Sequence, residues 1–415
     1  MKNFTYHVPT KVIFGSDRER EVGQLLRKEG ARKVLIIHGR QCAQCHGLLE
    51  RVQASLDEAG ILYNDIGGVY PPPTRRKANE GIALGRIEDV DFILALGGPA
   101  VVNLAKVIAI GIVNDGDIWD YFTRERVAEE VLPVGVISTT MAGSGEMSAL
   151  THLTNKVQRV SRIINVVGAR PRFAIMNPML TYPLSKAELY SGISEIMIMT
   201  MEHYFTHNST MELTDNICEA LLRVLIRNSQ TILTEMNNYD ARANVMWASA
   251  LAHNDLTGSG NGEADITVHE LQKELLGLYN ISSGVGMAAV WCAWARYVYT
   301  ADVHRFYRYG RTVWNIERDF GTQEEIALEG ICFTEEFFAQ IDMLGPVASQ
   351  EVRDIEFNLE ELTDRAMAGR PQLGSFKALT RDEVQRIYAD AVEYLQNYQP
   401  VSSSAPTASP VTEKE

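Results

Sequence analysis

Three short apolar runs limit most strongly what this chain can fold into. Val34 to Ile37 ends at His38-Gly39, Phe92 to Leu96 ends at Gly97-Gly98-Pro99, and Val131 to Ile137 leads into Thr139. No charged residue interrupts them, and each has the length of a strand rather than of a membrane span. A continuous apolar run, unlike an alternating one, marks a strand covered on both faces. Between them, Leu48 to Glu58 and Val101 to Ile110 carry apolar residues at helical spacing. Strand, helix, strand, helix is the order of a parallel sheet wrapped by helices. Ligands of such sheets sit beyond the carboxyl ends of the strands. Those ends are Gly39, Gly97-Gly98 and the segment Thr139 to Glu146.

After about Pro183 the strand signals fade. Helical patterns run over Ser185 to Thr206, Glu212 to Met236, Asp240 to Leu256, Ala264 to Leu278 and Arg381 to Gln396. The fold class expected is an α/β dinucleotide-binding domain with a parallel sheet over residues 1–183, followed by an all-α domain over 184–398. Residues 399–415 include Ser-Ser-Ser-Ala-Pro-Thr-Ala-Ser-Pro and have little to bury, so a disordered tail is expected there. The 415 residues suit two cores better than one.

The formal net charge of −14 gives no electrostatic basis for binding nucleic acid or an anionic membrane. Met1 to Pro9 lacks the apolar core of a signal peptide. Five cysteines, an odd and scattered set, argue against a disulfide framework. A cytoplasmic address is the expectation. Cys42-Ala43-Gln44-Cys45-His46 spells the haem c attachment pattern, read here as a chance match.

Four further stretches carry a family resemblance. They are Pro9 to Gly15 (PTKVIFG), Asn238 to Ala248 (NYDARANVMWA), Arg311 to Ile316 (RTVWNI) and Gln372-Leu373-Gly374. Over nearly the whole folded length the chain resembles the iron-dependent (group III) alcohol dehydrogenases, in their butanol dehydrogenase branch. The resemblance implies a dehydroquinate-synthase-like architecture, with a cleft between the two domains holding NAD or NADP and a divalent iron or zinc. It also implies a homodimer, with a hetero-oligomer with an active relative as a further expectation.

In that family one Asp and three His hold the metal, which lowers the alcohol pKa so that hydride can leave for the nicotinamide. The matching positions here are Glu195, Met199, His269 and Ser283. Glu195 and His269 are residual ligands. Methionine is a soft, neutral donor ill suited to iron or zinc, and serine brings no imidazole. Catalytic sites keep at least three protein ligands, so the expectation is weak metal binding or none. A His-Glu pair that follows the third ligand in the family reads Lys273-Glu274 here.

The cofactor motifs also depart. The family's Gly-Gly-Gly-Ser turn reads Gly97-Gly98-Pro99-Ala100, with Asn103 in place of Asp and Lys106 kept. Pro99 has no N–H to offer a pyrophosphate. The next phosphate segment reads Gly143-Ser144-Gly145-Glu146, and the first strand end reads Gly39-Arg40-Gln41-Cys42. Gly39, Gly97, Gly98, Lys106, Ser144 and Glu146 are the candidate cofactor residues.

Three functions compete. In the first, an NAD(P)-linked oxidoreductase, a buried Lys273 positioned by Glu195 or Glu270 replaces the metal's charge and His269 relays a proton. The second is a catalytically inactive scaffold that binds or assembles. The third is a metal enzyme with compensating ligands from Glu202, His203, Glu270 or water.

Overall fold

The computed structural model describes residues 2–39, 47–143, 145–158, 160–207, 210–318 and 321–398. Arg40, Cys42, Cys45, His46, Ser144 and the tail from residue 399 lie outside the described residues.

The first half is a six-stranded sheet in the order β1-β8-β5-β4-β2-β3 with every pairing parallel. Its strands are β1 (Lys11–Phe14), β2 (Lys33–Gly39), β3 (Leu62–Val69), β4 (Phe92–Gly97), β5 (Val134–Ser138) and β8 (Phe173–Met176). β4 and β5 are buried along their whole length, as their unbroken apolar sequences require. Successive side chains feed two cores. On one face Val34, Ile36, Phe92 and Leu94 pack with α1 (Val22–Lys28) and α2 (Leu48–Ala59). On the other, Leu35, Ile37, Ile93 and Ala95 pack with α3 (Arg75–Ile87), α4 (Pro99–Val113) and α5 (Ile118–Thr123).

β2 and β4 are neighbours, but α2 and α4, the helices that follow them, cover opposite faces. β2 is succeeded outward by β3, whereas β4 leads inward to β5. The crevice at the carboxyl ends of β2 and β4 is therefore the topological switch point of the sheet. Strands β6 (Leu150–Asn155) and β7 (Val160–Asn165) form a separate antiparallel hairpin. It docks against the end of β3, where the Thr154 N–H donates to the Pro73 carbonyl at 2.9 Å.

The sheet ends at Met176, and the helical half begins with α6 (Lys186–Tyr204), opened by a capping box between Ser185 and Glu188. It continues through α7 (Glu212–Thr234), α8 (Tyr239–Ala252), α9 (Thr267–Tyr279) and α10 (Ser283–Val298). Then come α11 (Val303–Val313), α12 (Gln323–Gln340), α13 (Pro346–Val352), α14 (Leu359–Met367) and α15 (Arg381–Asn397). α10 is the axis of this domain, with every residue from Gly284 to Ala295 buried. No helix among the described residues is long and apolar enough to cross a membrane.

Two of the resemblance-bearing stretches meet at the seam between the halves. Asn238 caps α8, accepting the Ala241 N–H. Arg242 is fully buried and donates to the Met236 carbonyl at 2.7 Å, to Thr181 Oγ1 at 3.0 Å and to the Thr181 carbonyl. Thr181 lies in the connection that leaves the sheet, so this guanidinium fixes where the helical half starts. Trp247 of α8 packs edge-on against Phe14 at the end of β1, with centroids 6.2 Å apart. Gly143 N–H to Ser249 Oγ (2.8 Å) and Arg170 to Asp255 (2.9 Å) complete the seam.

Candidate functional site

The cofactor side converges on Val101 in the first turn of α4. A Cβ on Gly97 would stand 2.7 Å from the Val101 side chain, and one on Gly39 would stand 3.6 Å from it. The two strand ends thus press against the same helix start, and Gly97 has no room for a larger residue. Gly98 is the N-cap of α4 and Pro99 its first residue. Proline suits that position sterically, but it removes one N–H from the helix end that faces the crevice.

Lys106 departs from the expected cofactor role. It is fully buried, and its ammonium donates to the carbonyls of Gly145 (2.7 Å), Ser148 (2.7 Å) and Leu150 (3.1 Å). All of its donors are engaged by the backbone, so it positions the 145–150 segment. Burial pulls its pKa down to about 7, with the Glu146 charge opposing and Arg170 adding to the fall. Glu146, within this segment, is itself buried. Asn103 is also structural: its Oδ1 accepts the His152 N–H at 2.9 Å, and its amide donates to the Pro99 carbonyl.

The helical wall is set by α6. Between Ser191 and Tyr204 every residue is buried except Ser191, Glu195, Met199 and His203. Steps of four place these side chains on one face, which makes a single accessible stripe on an otherwise buried helix. Three contacts fix what faces it. The Tyr204 carbonyl, one of the orphan acceptors at the end of α6, is taken by Arg305, which also forms a bidentate pair with buried Asp215 at 2.6 and 2.7 Å. Asp265, two residues before the start of α9, accepts the Thr267 N–H with one oxygen and the Ser375 and Phe376 N–H groups with the other. The Gly284 N–H donates to Ser191 Oγ at 2.9 Å, and a Cβ on Gly284 would lie 2.4 Å from Ser191 Cα. That close crossing brings Ser283 to the Ser191 end of the stripe, where its hydroxyl meets Gln272 Nε2 at 3.4 Å.

His269 is held by Glu202, a buried residue on a neighbouring face of α6. One carboxylate oxygen lies 2.6 Å from His269 Nδ1 and the other accepts the His269 N–H at 3.1 Å. The ring's remaining nitrogen is Nε2. Burial lowers the imidazole pKa, but the charge and hydrogen bond of Glu202, with Glu195 adding, outweigh it and leave it above the usual value. His203 responds the other way. Burial pushes it down to about 4, and the charges of His253 and His269 act in the same sense against Asp255. Its Nδ1 pairs with Thr257 Oγ1 at 2.7 Å.

Lys273 is not the buried cation expected. Its side chain is 62% exposed, and its ammonium lies 3.7 Å from Glu274. Glu274 is bound more closely by Arg365 at 2.8 Å, and Glu270 by Arg370 at 2.5 Å. Glu270 and Glu202 are thus both committed to other partners. Among the described residues no group of three or more His, Cys, Asp or Glu side chains is arranged to hold a metal ion.

Sequence reasoning named Glu202 and His203 only as compensating metal ligands and did not foresee the places they take. His203 continues the four-residue step of Ser191, Glu195 and Met199, a signal readable in the sequence. The Glu202–His269 contact spans 67 residues and has no local signature.

The family comparisons agree with this architecture. Residues 9–178 match the iron-containing alcohol dehydrogenase model, and residues 189–392 match the model of that family's C-terminal domain. The chain is 32% identical to NADH-dependent butanol dehydrogenase A of Clostridium acetobutylicum, covering 94% of this chain and 99% of that one. It is 28% identical to an NADPH-dependent aldehyde reductase of Escherichia coli, covering 94% and 100%. Among solved structures, NADH-dependent butanol dehydrogenase A of Thermotoga maritima superposes with a TM-score of 0.88 at 28% identity, covering 94% of this chain and 99% of that one. From the two family matches and the shared fold, the chain belongs to the iron-containing alcohol dehydrogenase family.

Proposed function

We propose that this chain is an NAD(P)-linked alcohol dehydrogenase or aldehyde reductase homologue in which the family's metal centre is not assembled, so that metal-dependent turnover is absent or much reduced. The relatives support the coarse activity, since they are named as NADH-dependent butanol dehydrogenases and an NADPH-dependent aldehyde reductase. The observation that carries the rest is the donor set around the accessible stripe of α6. Glu195 and His269 are competent donors. Met199 offers a neutral thioether, and Ser283 a neutral hydroxyl. Two hard, basic donors fall short of the three that catalytic sites use. The residues weighed as compensating ligands do not make up the number, because Glu202 is taken by His269, Glu270 by Arg370, and His203 lies eight residues, about 12 Å of helix, beyond Glu195.

The same residues would suit a metal only as half a site, so no step of the chemistry is routed through one. What the chain keeps is a crevice for a dinucleotide and, on the opposing wall, an imidazole held by a buried carboxylate. A second reading, an inactive scaffold, is favoured by one feature: Lys273, the residue that would restore a positive charge, is exposed and beside Glu274.

Turnover of a short aliphatic aldehyde with NADH and NADPH, with iron or zinc added or a chelator present, separates these readings. The proposal expects dinucleotide binding with little turnover and no response to metal. Vigorous turnover that a chelator abolishes would overturn it.

A further inference from the structure

The crevice has a basic flank that the reading so far does not use. Gly39 at the end of β2 pairs in register with Val69 at the end of β3. A cavity of about 270 Å³ opens there, lined among others by Tyr70, Pro73, Arg76, Lys77, Glu80 and Lys156. At about 30 Å³ per water in the liquid, it has room for a phosphate group and part of its hydration shell. Its walls come from the end of β3 with the turn that follows it, the first turns of α3 and the tip of the β6–β7 hairpin. The hairpin is held in place by the Thr154-to-Pro73 hydrogen bond, so Lys156 is brought to this cavity by backbone pairing.

The charge balance at this spot is opposite to that of the molecule. The chain carries 53 acidic against 39 basic residues, yet the cavity has Arg76, Lys77 and Lys156 against Glu80. Glu80 is taken by Lys77 at 2.8 Å. Among the described residues neither Arg76 nor Lys156 forms a salt bridge. Two cations without carboxylate partners, facing one cavity on an acidic protein, are suited to an anion. The position narrows the choice of anion. In a doubly wound sheet the pyrophosphate lies at the glycine-rich turn and helix start, here Gly97-Gly98 and α4. The adenosine ribose lies to one side, where a nearby arginine accommodates a 2′-phosphate.

We infer that this cavity receives the 2′-phosphate of NADP(H), with Arg76 and Lys156 as the selecting cations, and that the chain prefers NADPH to NADH. The inference rests on the dinucleotide-binding reading above. It assigns cofactor choice to the β3 side of the crevice and leaves the pyrophosphate to the β4 side.

The test is titration of the full chain with NADPH and NADH, repeated on the double variant Arg76→Ala/Lys156→Ala. Losing charge-assisted contacts to one phosphate typically costs about tenfold or more in affinity. The wild type is expected to bind NADPH at least about tenfold more tightly than NADH. The double variant should lose most of that ratio while its NADH affinity stays unchanged. Raising the salt concentration should also narrow the ratio, because the cations are exposed. Equal affinities in the wild type, or a preference that survives the double substitution, would overturn the assignment and leave the dinucleotide reading intact. Binding of neither cofactor would overturn both.

Discussion

The seam between the two halves and the wall of α6 lie close together but follow different rules. At the seam, the stretches that carry the family resemblance meet and complete one another: Arg242 reaches Thr181, and Trp247 packs on Phe14. On the wall, two of the four positions that the resemblance matches to metal ligands hold Met199 and Ser283. The stretches quoted for the resemblance thus include residues that join the two halves, whereas the proposed departures lie on the wall of α6. A scaffold specified by packing and buried hydrogen bonds does not depend on its active-site donors. That is why the proposed loss of the donor set is compatible with so close a match to the family fold.

The largest effect expected is at the seam. Arg242→Met would leave the Met236 and Thr181 carbonyls without their buried donor. Removing one partner of such a charged network costs roughly 3 kcal/mol or more. Urea denaturation should show that loss, and a drop below about 1 kcal/mol would mean the seam is not held as described.

Next comes the support beneath His269. Glu202→Gln should cost about 1–3 kcal/mol, the range for a charge-assisted hydrogen bond. The sign with pH follows from the raised imidazole pKa. A raised folded-state value gives stability that is fully present below the unfolded pKa and is lost as pH rises through the folded one. The deficit of the variant should therefore be larger at mildly acid pH than in mild alkali. A deficit independent of pH would contradict the pairing.

A smaller, opposite dependence is expected from His203. Its pKa is depressed to about 4 from 6.5, so its contribution is present above the unfolded value and is lost as pH falls towards 4. Thermal melts of wild type and His203→Gln should converge as the pH drops through that window. Parallel curves would show that His203 is not held neutral as described.

Much of the sheet was legible because strands covered on both faces must be apolar throughout, and their glycine ends mark the crevice. Other elements were less so. α10 is apolar on every side because it is the axis of its domain, and it therefore lacks the one-sided periodicity that reveals a helix. β3 lies at a sheet edge, and its sequence LYNDIGGV has no continuous apolar run. In the site, the resemblance pointed to Glu195, Met199 and His269, and the structure places Glu195 and Met199 on the accessible stripe of α6. Lys106, matched to the cofactor motif, turns inward to three carbonyls that are close only after folding. Lys273 was expected to be buried because of its place in the motif, yet α9 turns it to solvent. Neighbours distant in the chain decide such orientations, and no local pattern encodes them.

The two substituted positions also provide the most direct test. Met199→His with Ser283→His restores imidazoles where the family has them, and without metal it should change stability by about 1 kcal/mol or less. Elemental analysis of both proteins, loaded with iron or zinc and then dialysed, reads the donor set itself. The account predicts a full equivalent of metal in the double variant and far less in the wild type. A wild-type protein that retains one metal per chain after dialysis would contradict it.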